Sequence, residues 1–145
     1  MKIHELGHIV LYVSNIKKSA DFYKDILGFT EIHRDLHTAL YSSGRTHHEL
    51  LLIEVSGNPT IKEYPKPGLY HIGFKIGNTD NELRAAISEL TQEGIPITGS
   101  ADHHVTHSIY ITDPDYNEIE LYIDVDESWK TDITKIIKRP TQLEL

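Results

Sequence analysis

The sequence predicts an α+β fold: paired βαβββ modules forming a curved mixed sheet around a central pocket. Three observations predict it. The second half of the chain restates the first, with Gly7-His8-Ile9-Val10-Leu11-Tyr12-Val13 echoed by Tyr70-His71-Ile72-Gly73-Phe74-Lys75-Ile76. A polar turn follows each copy, Ser14-Asn15 in one and Gly77-Asn78-Thr79-Asp80 in the other, and then a segment with apolar residues at helical spacing. Short apolar runs rich in β-branched and aromatic residues follow each helix, which is the composition of strands. Two copies do not make a solenoid, which needs about three or more.

The elements follow in order. Residues 6–13 read as a buried strand. Ser14 or Asn15 caps a helix in which Ile16, Ala20, Phe22-Tyr23 and Ile26-Leu27 recur on one face, and Gly28 ends it. Phe29–Leu36 and Thr38–Tyr41 are strands, Ser42-Ser43-Gly44-Arg45 is a turn, and Glu49–Val55 is an apolar strand. These complete module one, residues 5–56. A linker follows at 57–68, with three prolines and two glycines in twelve residues and a short helical turn expected at Thr60–Tyr64. Module two, residues 69–124, opens with a strand at Leu69–Ile76. Asp80 caps a helix with Leu83, Ala86-Ile87 and Leu90 on one face, and Gly94 ends it. Pro96–Gly99, Ser108–Thr112 and Glu118–Ile123 are its remaining strands, the last two joined by the turn Asp113-Pro114-Asp115-Tyr116-Asn117. Residues 125–145 form a polar tail that holds the only tryptophan, Trp129, and a helix expected at Thr131–Ile137. The whole is read as one domain, 1–145.

Composition narrows the function. The chain has 145 residues, enough for a real hydrophobic core. Its net charge of −8 repels nucleic acid and anionic lipid, so neither is expected as a partner. The absence of cysteine removes disulfide and thiol chemistry. The opening Met1-Lys2-Ile3-His4-Glu5 does not read as a secretory signal, and no apolar run has membrane-spanning length, so a cytoplasmic location is expected.

Among the ten histidines, His8 and His71 stand apart because they occupy equivalent positions in the repeat. Pseudo-twofold symmetry would bring them face to face at the pocket. Glu120 lies in the middle of an apolar strand, where a carboxylate is expensive to bury unless paired or metal-bound. Two histidines and one carboxylate leave coordination positions open and suit non-heme Fe(II), although Mn(II), Ni(II) and Zn(II) accept the same ligands. The pocket is therefore expected to be a metal pocket. Glu118 shares strand parity with Glu120 but lies nearer the turn, and is read as solvated. Tyr12, Tyr110, Tyr122 and Phe74 are expected to line the pocket, a lining that suits an aromatic ring.

On these residues the chain resembles the vicinal oxygen chelate superfamily, which includes glyoxalase I, extradiol dioxygenases and antibiotic resistance proteins. Gly7–Val13 with Ser19-Ala20-Asp21-Phe22-Tyr23 and Leu27-Gly28-Phe29 resembles its opening module, and Asp113–Leu121 resembles its closing signature. That signature usually has glycine where Tyr116 stands, so Tyr116 is expected at positive φ. His47-His48-Glu49-Leu50, Gly68-Leu69-Tyr70-His71, and Asp102-His103 with Ser108-Ile109-Tyr110 are similar to single-domain catechol-type extradiol dioxygenases. The resemblance implies His8, His71 and Glu120 as Fe(II) ligands, His48 as acid/base, Tyr110 as a hydrogen-bond donor to the substrate oxygen and His103 as a pocket histidine. It implies ring cleavage of a small aromatic diol with O₂, a place in aromatic catabolism, and a homodimer. Two alternatives stand beside it: a glyoxalase I-like metal-dependent lyase, and a resistance protein that binds a small molecule without turnover. The neighbours His48 and Glu49 separate the first two. If His48 turns toward the metal side, the site has three ligands and a histidine base. If Glu49 does, it gains a fourth ligand, as glyoxalase I has.

Overall fold

The computed structural model describes residues 1–61 and 65–145. The chain forms two compact units, Met1–Lys62 with Asp113–Tyr116 and Glu63–Thr112 with Asn117–Leu145. Both expected βαβββ modules are present.

In the first unit the elements are β1 (Ile9–Val13), α1 (Ile16–Asp21), β2 (Thr30–Arg34), β3 (Thr38–Ser42) and β4 (Leu50–Glu54). The sheet order is β1-β4-β3-β2, with β1 and β4 parallel and the other pairs antiparallel. Asn15 caps α1 as expected, its side chain accepting from the Lys18 amide at 2.9 Å. The helix then widens into a π-type turn at Phe22–Ile26, with the Leu27 amide donating to the Phe22 carbonyl. Gly28 ends it at φ 73°. Leu11, Val13, Ala39, Tyr41, Leu50 and Leu52 bury one sheet face against Ile16, Ala20, Phe22 and Tyr23 of the helix. Val10 and Tyr12, on the opposite face by parity, are exposed.

The Asp113–Tyr116 turn belongs to this unit and is held by its helix. The Tyr23 hydroxyl donates to Asp113 at 2.9 Å, while the Ser14 amide and Ser19 hydroxyl donate to Asp115 at 2.9 and 3.1 Å. Burial, together with the charge of Asp113, raises the Tyr23 pKa well above its usual value, so the phenol stays a donor. Tyr116 has φ 61°, the left-handed conformation expected of a residue standing in glycine's place.

The second unit holds β5 (His71–Gly77), α2 (Asp80–Gln92), β6 (Gly99–Asp102), β7 (Thr106–Thr112) and β8 (Glu118–Asp124), in the order β5-β8-β7-β6. Here β5 and β8 are parallel, and the other pairs are antiparallel. Ile72, Ile109, Ile111, Ile119, Leu121 and Ile123 are buried, as are Leu83 and Leu90 of α2, which packs on β5 and β8. The tail forms 3₁₀ turns at Ser128–Lys130 and Ile133–Ile137, then pairs Thr141 with Asp102 through two backbone hydrogen bonds of 2.8 and 3.0 Å. No helix among the described residues is long and apolar enough to cross a membrane.

Several boundaries differ from expectation, each for a local reason. β1 starts at Ile9 because its amide makes the first ladder bond, to the Glu49 carbonyl at 2.8 Å. β2 ends before Asp35, whose carboxylate accepts from the His37 and Thr38 amides and turns the chain. Thr79, not Asp80, caps α2. Thr79 and Glu82 form a reciprocal box in which Glu82 accepts from the Asn78 amide at 2.9 Å and the Thr79 hydroxyl at 2.7 Å. Glycine is required at position 77, where a Cβ would lie 2.6 Å from the Glu82 side chain. The strand expected at Pro96–Gly99 begins only at Gly99, beyond the proline that has no amide to donate. The helical turn expected at 60–64 falls mainly outside the described residues, and Thr60 and Ile61 are irregular.

Tyr23→Phe leaves the buried Asp113 carboxylate without its phenolic donor. We expect it to destabilise the protein by about 2 kcal/mol, the cost of a hydrogen bond to a charged group, measured by urea unfolding with an unchanged denaturant slope.

Candidate functional site

In the second unit, strand parity concentrates polar side chains on the sheet face away from α2. Along β8 the buried Ile119, Leu121 and Ile123 alternate with half-buried Glu118, Glu120, Tyr122 and Asp124. The parallel register pairs His71 with Glu118 and Gly73 with Glu120. On the other side of β8, Tyr110 of β7 lies opposite Glu120. His71, Glu118, Glu120 and Tyr110 thus share one face, whereas Phe74 has the parity of buried Ile72 and lies on the other. The expectation that Phe74 lines this surface is corrected accordingly.

Glu120 is the centre of the cluster. Its Oε2 lies 3.2 Å from His71 Nε2, and its Oε1 accepts from the Tyr110 hydroxyl at 3.3 Å. His103 Nε2 is 3.0 Å from the Tyr110 hydroxyl and 3.7 Å from Glu120 Oε1. A tight loop before β7 brings His103 there: its amide donates to the Thr106 carbonyl, and the next residue, His104, has φ 69°. Gly73 leaves room for the carboxylate, since a Cβ at that position would stand 3.3 Å from Glu120 Oε2. Burial, then the charge and hydrogen bond of Glu120, push the Tyr110 pKa up to about 12.

Glu118 is not the solvated residue expected from its nearness to the turn. Its Oε1 lies 3.4 Å from His71 Nδ1, and both atoms are buried without a hydrogen-bond partner among the described residues. The signal was present in the Glu-x-Glu spacing, which puts both carboxylates on one face, but only the register shows that His71 lies opposite the first of them.

In the first unit His8 precedes β1 and His48 precedes β4. The parallel pairing of Ile9 with Leu50 brings their rings to a centroid distance of 4.6 Å. His47 Nδ1 is 2.6 Å from His48 Nδ1. Loss of solvent, then the neighbouring His47 and His8, push the His48 pKa down. Glu49 is committed elsewhere: its carboxylate accepts from the Ser43 and Thr46 amides at 2.7 and 2.9 Å and lies 3.7 Å from Arg45 Nε. That closes the turn at 43–46 and leaves His48, not Glu49, beside His8.

Among the described residues no three His, Asp or Glu side chains converge closely enough to hold a metal ion. The donor chemistry of the clusters nevertheless fits one. Imidazole nitrogens and a carboxylate are first-row metal ligands. A ligating histidine is usually held through its other ring nitrogen, and the Nδ1 of His71 is buried with no hydrogen-bond partner among the described residues.

A family model described as the Glyoxalase/Bleomycin resistance protein/Dioxygenase superfamily matches residues 5–121. The chain is 33% identical over 138 residues to a catechol-2,3-dioxygenase of Bacillus subtilis (strain 168), an alignment covering 90% of this chain and 46% of that one. It therefore spans about half the length of that relative. It is 26% identical to a probable lactoylglutathione lyase of Vibrio cholerae, covering 83% of this chain and 91% of the relative. Among solved structures, a glyoxalase/dioxygenase from Nostoc punctiforme superposes with a TM-score of 0.68 at 21% identity, covering 85% of this chain and 92% of the other, a likeness of fold.

Replacing Glu120 with Gln removes the negative charge beside the Tyr110 phenol. A neighbouring charge opposes phenolate formation, so the Tyr110 pKa should fall from about 12 toward an ordinary tyrosine value in metal-free E120Q. Ultraviolet titration against a Tyr110→Phe control measures it, and an unchanged value would rule out Glu120 as a cause of the shift.

Proposed function

The chain belongs to the Glyoxalase/Bleomycin resistance protein/Dioxygenase superfamily, and from that premise we propose that it is a metal-dependent extradiol dioxygenase of small aromatic diols. His8, His71 and Glu120 are the ligands in this reading. Fe(II) is the preferred ion, with Mn(II), Ni(II) and Zn(II) as alternatives. When bound, the ion supplies Lewis acidity and open positions for a diol and for O₂.

The observation that carries the reading is the sorting of His48 from Glu49. With Glu49 closing its turn, the side chain beside His8 is a base rather than a fourth ligand, which favours the dioxygenase over the glyoxalase arrangement. A His48 pKa below the usual value keeps that imidazole neutral near pH 7, able to accept a proton from a diol hydroxyl and return it to the cleaved product. The raised pKa of Tyr110 keeps its phenol protonated, so it can donate to a substrate oxygen. His103, 3.0 Å from that hydroxyl, orients it.

Protein reconstituted anaerobically with Fe(II) should consume O₂ when given catechol. His48→Ala should lower kcat by roughly 10²–10⁴, the usual worth of a general acid/base, while retaining iron. No oxygen uptake with any catechol after reconstitution would contradict the dioxygenase reading.

A further inference from the structure

We infer that Glu118 is a positioning residue that holds His71 through Nδ1 and so aims Nε2 at the metal; the inference rests on His71 being a ligand. Four observations carry it. His71 and Glu118 are direct partners in the β5–β8 register, so their backbones are fixed opposite one another. Glu118 Oε1 lies 3.4 Å from His71 Nδ1, while the other ring nitrogen lies 3.2 Å from Glu120. The ring is thus framed by two carboxylates with separate tasks. The Nδ1 and Oε1 atoms are both buried, and neither has a hydrogen-bond partner among the described residues. The Glu118 side chain is only 23% exposed.

A buried, unpartnered donor and acceptor facing each other are costly to leave unmade. The arrangement becomes favourable once Nε2 is occupied by a metal ion. The imidazole proton must then reside on Nδ1, where it points at the waiting Oε1. A shift of about half an ångström or slightly more closes the gap to ordinary charge-assisted length. Ligand and carboxylate then support one another: the bond fixes the ring plane and makes Nε2 the better donor. An alternative role for Glu118, as a ligand itself, is disfavoured because its buried oxygen faces Nδ1 and not the Nε2 edge.

The test uses the full chain titrated with Zn(II), which is diamagnetic and suits NMR of the ring protons. The zinc-loaded native protein should show a downfield His71 Nδ1–H resonance protected from solvent exchange. Glu118→Ala should lose that resonance and bind Zn(II) about 10–100-fold more weakly, the usual effect of removing such a partner. Glu118→Gln, whose amide oxygen still accepts, should keep the resonance and most of the affinity. Native-like Zn(II) affinity in E118A, or loss in E118Q as deep as in E118A, would overturn the inference. His71→Ala separates the two readings: native Zn(II) affinity there would sink the ligand assignment itself. Loss in H71A with none in E118A would sink only the role of Glu118.

Discussion

In β8 every second side chain must be apolar, because that strand pairs with neighbours on both sides and has α2 against one face. Ile119, Leu121 and Ile123 meet that demand and are buried. The intervening positions are thereby freed from the core and collected on the other face. Glu118, Glu120 and Tyr122 occupy them, and the neighbouring strands add His71 and Tyr110 in register. The chemistry of the second unit is a by-product of this period of two. A slip of one residue would exchange carboxylates for isoleucines and destroy core and site together. The absence of a side chain at Gly73 completes the geometry by giving Glu120 space beside His71.

The first unit reaches its histidine cluster by a different route. His8 and His48 lie just outside the strands, so parity does not aim them. Their approach comes from the parallel start of β1 and β4, and from a turn that occupies Glu49. The backbone amides of Ser43 and Thr46 need an acceptor, and the nearest carboxylate answers. Which of the two neighbours, His48 or Glu49, stands beside His8 is decided by the hydrogen-bonding needs of a loop.

The repeat, the helices and the alternating strands were legible because each rests on a strong local signal: a doubled His-Ile strand start, asparagine and glycine at the ends of α1, apolar residues at alternate positions of β8. Tyr116 was legible as a left-handed residue because it stands where glycine is usual. What escaped depends on contacts between distant segments. Thr79 displaced Asp80 as cap because Glu82 could reciprocate. The role of Glu49 required the fold of the 43–46 turn. Glu118 looked solvated by its nearness to a turn, and only its pairing with His71 across the sheet shows an oxygen turned inward.

The proposed function rests on His8, His71 and Glu120 as ligands of one metal ion. Its most direct test is the iron content of protein reconstituted anaerobically with Fe(II) and freed of excess metal, for the native chain and for His8→Ala and Glu120→Ala. The account predicts one iron per chain in the native protein and near-complete loss in both variants. Native iron content in either variant would contradict it.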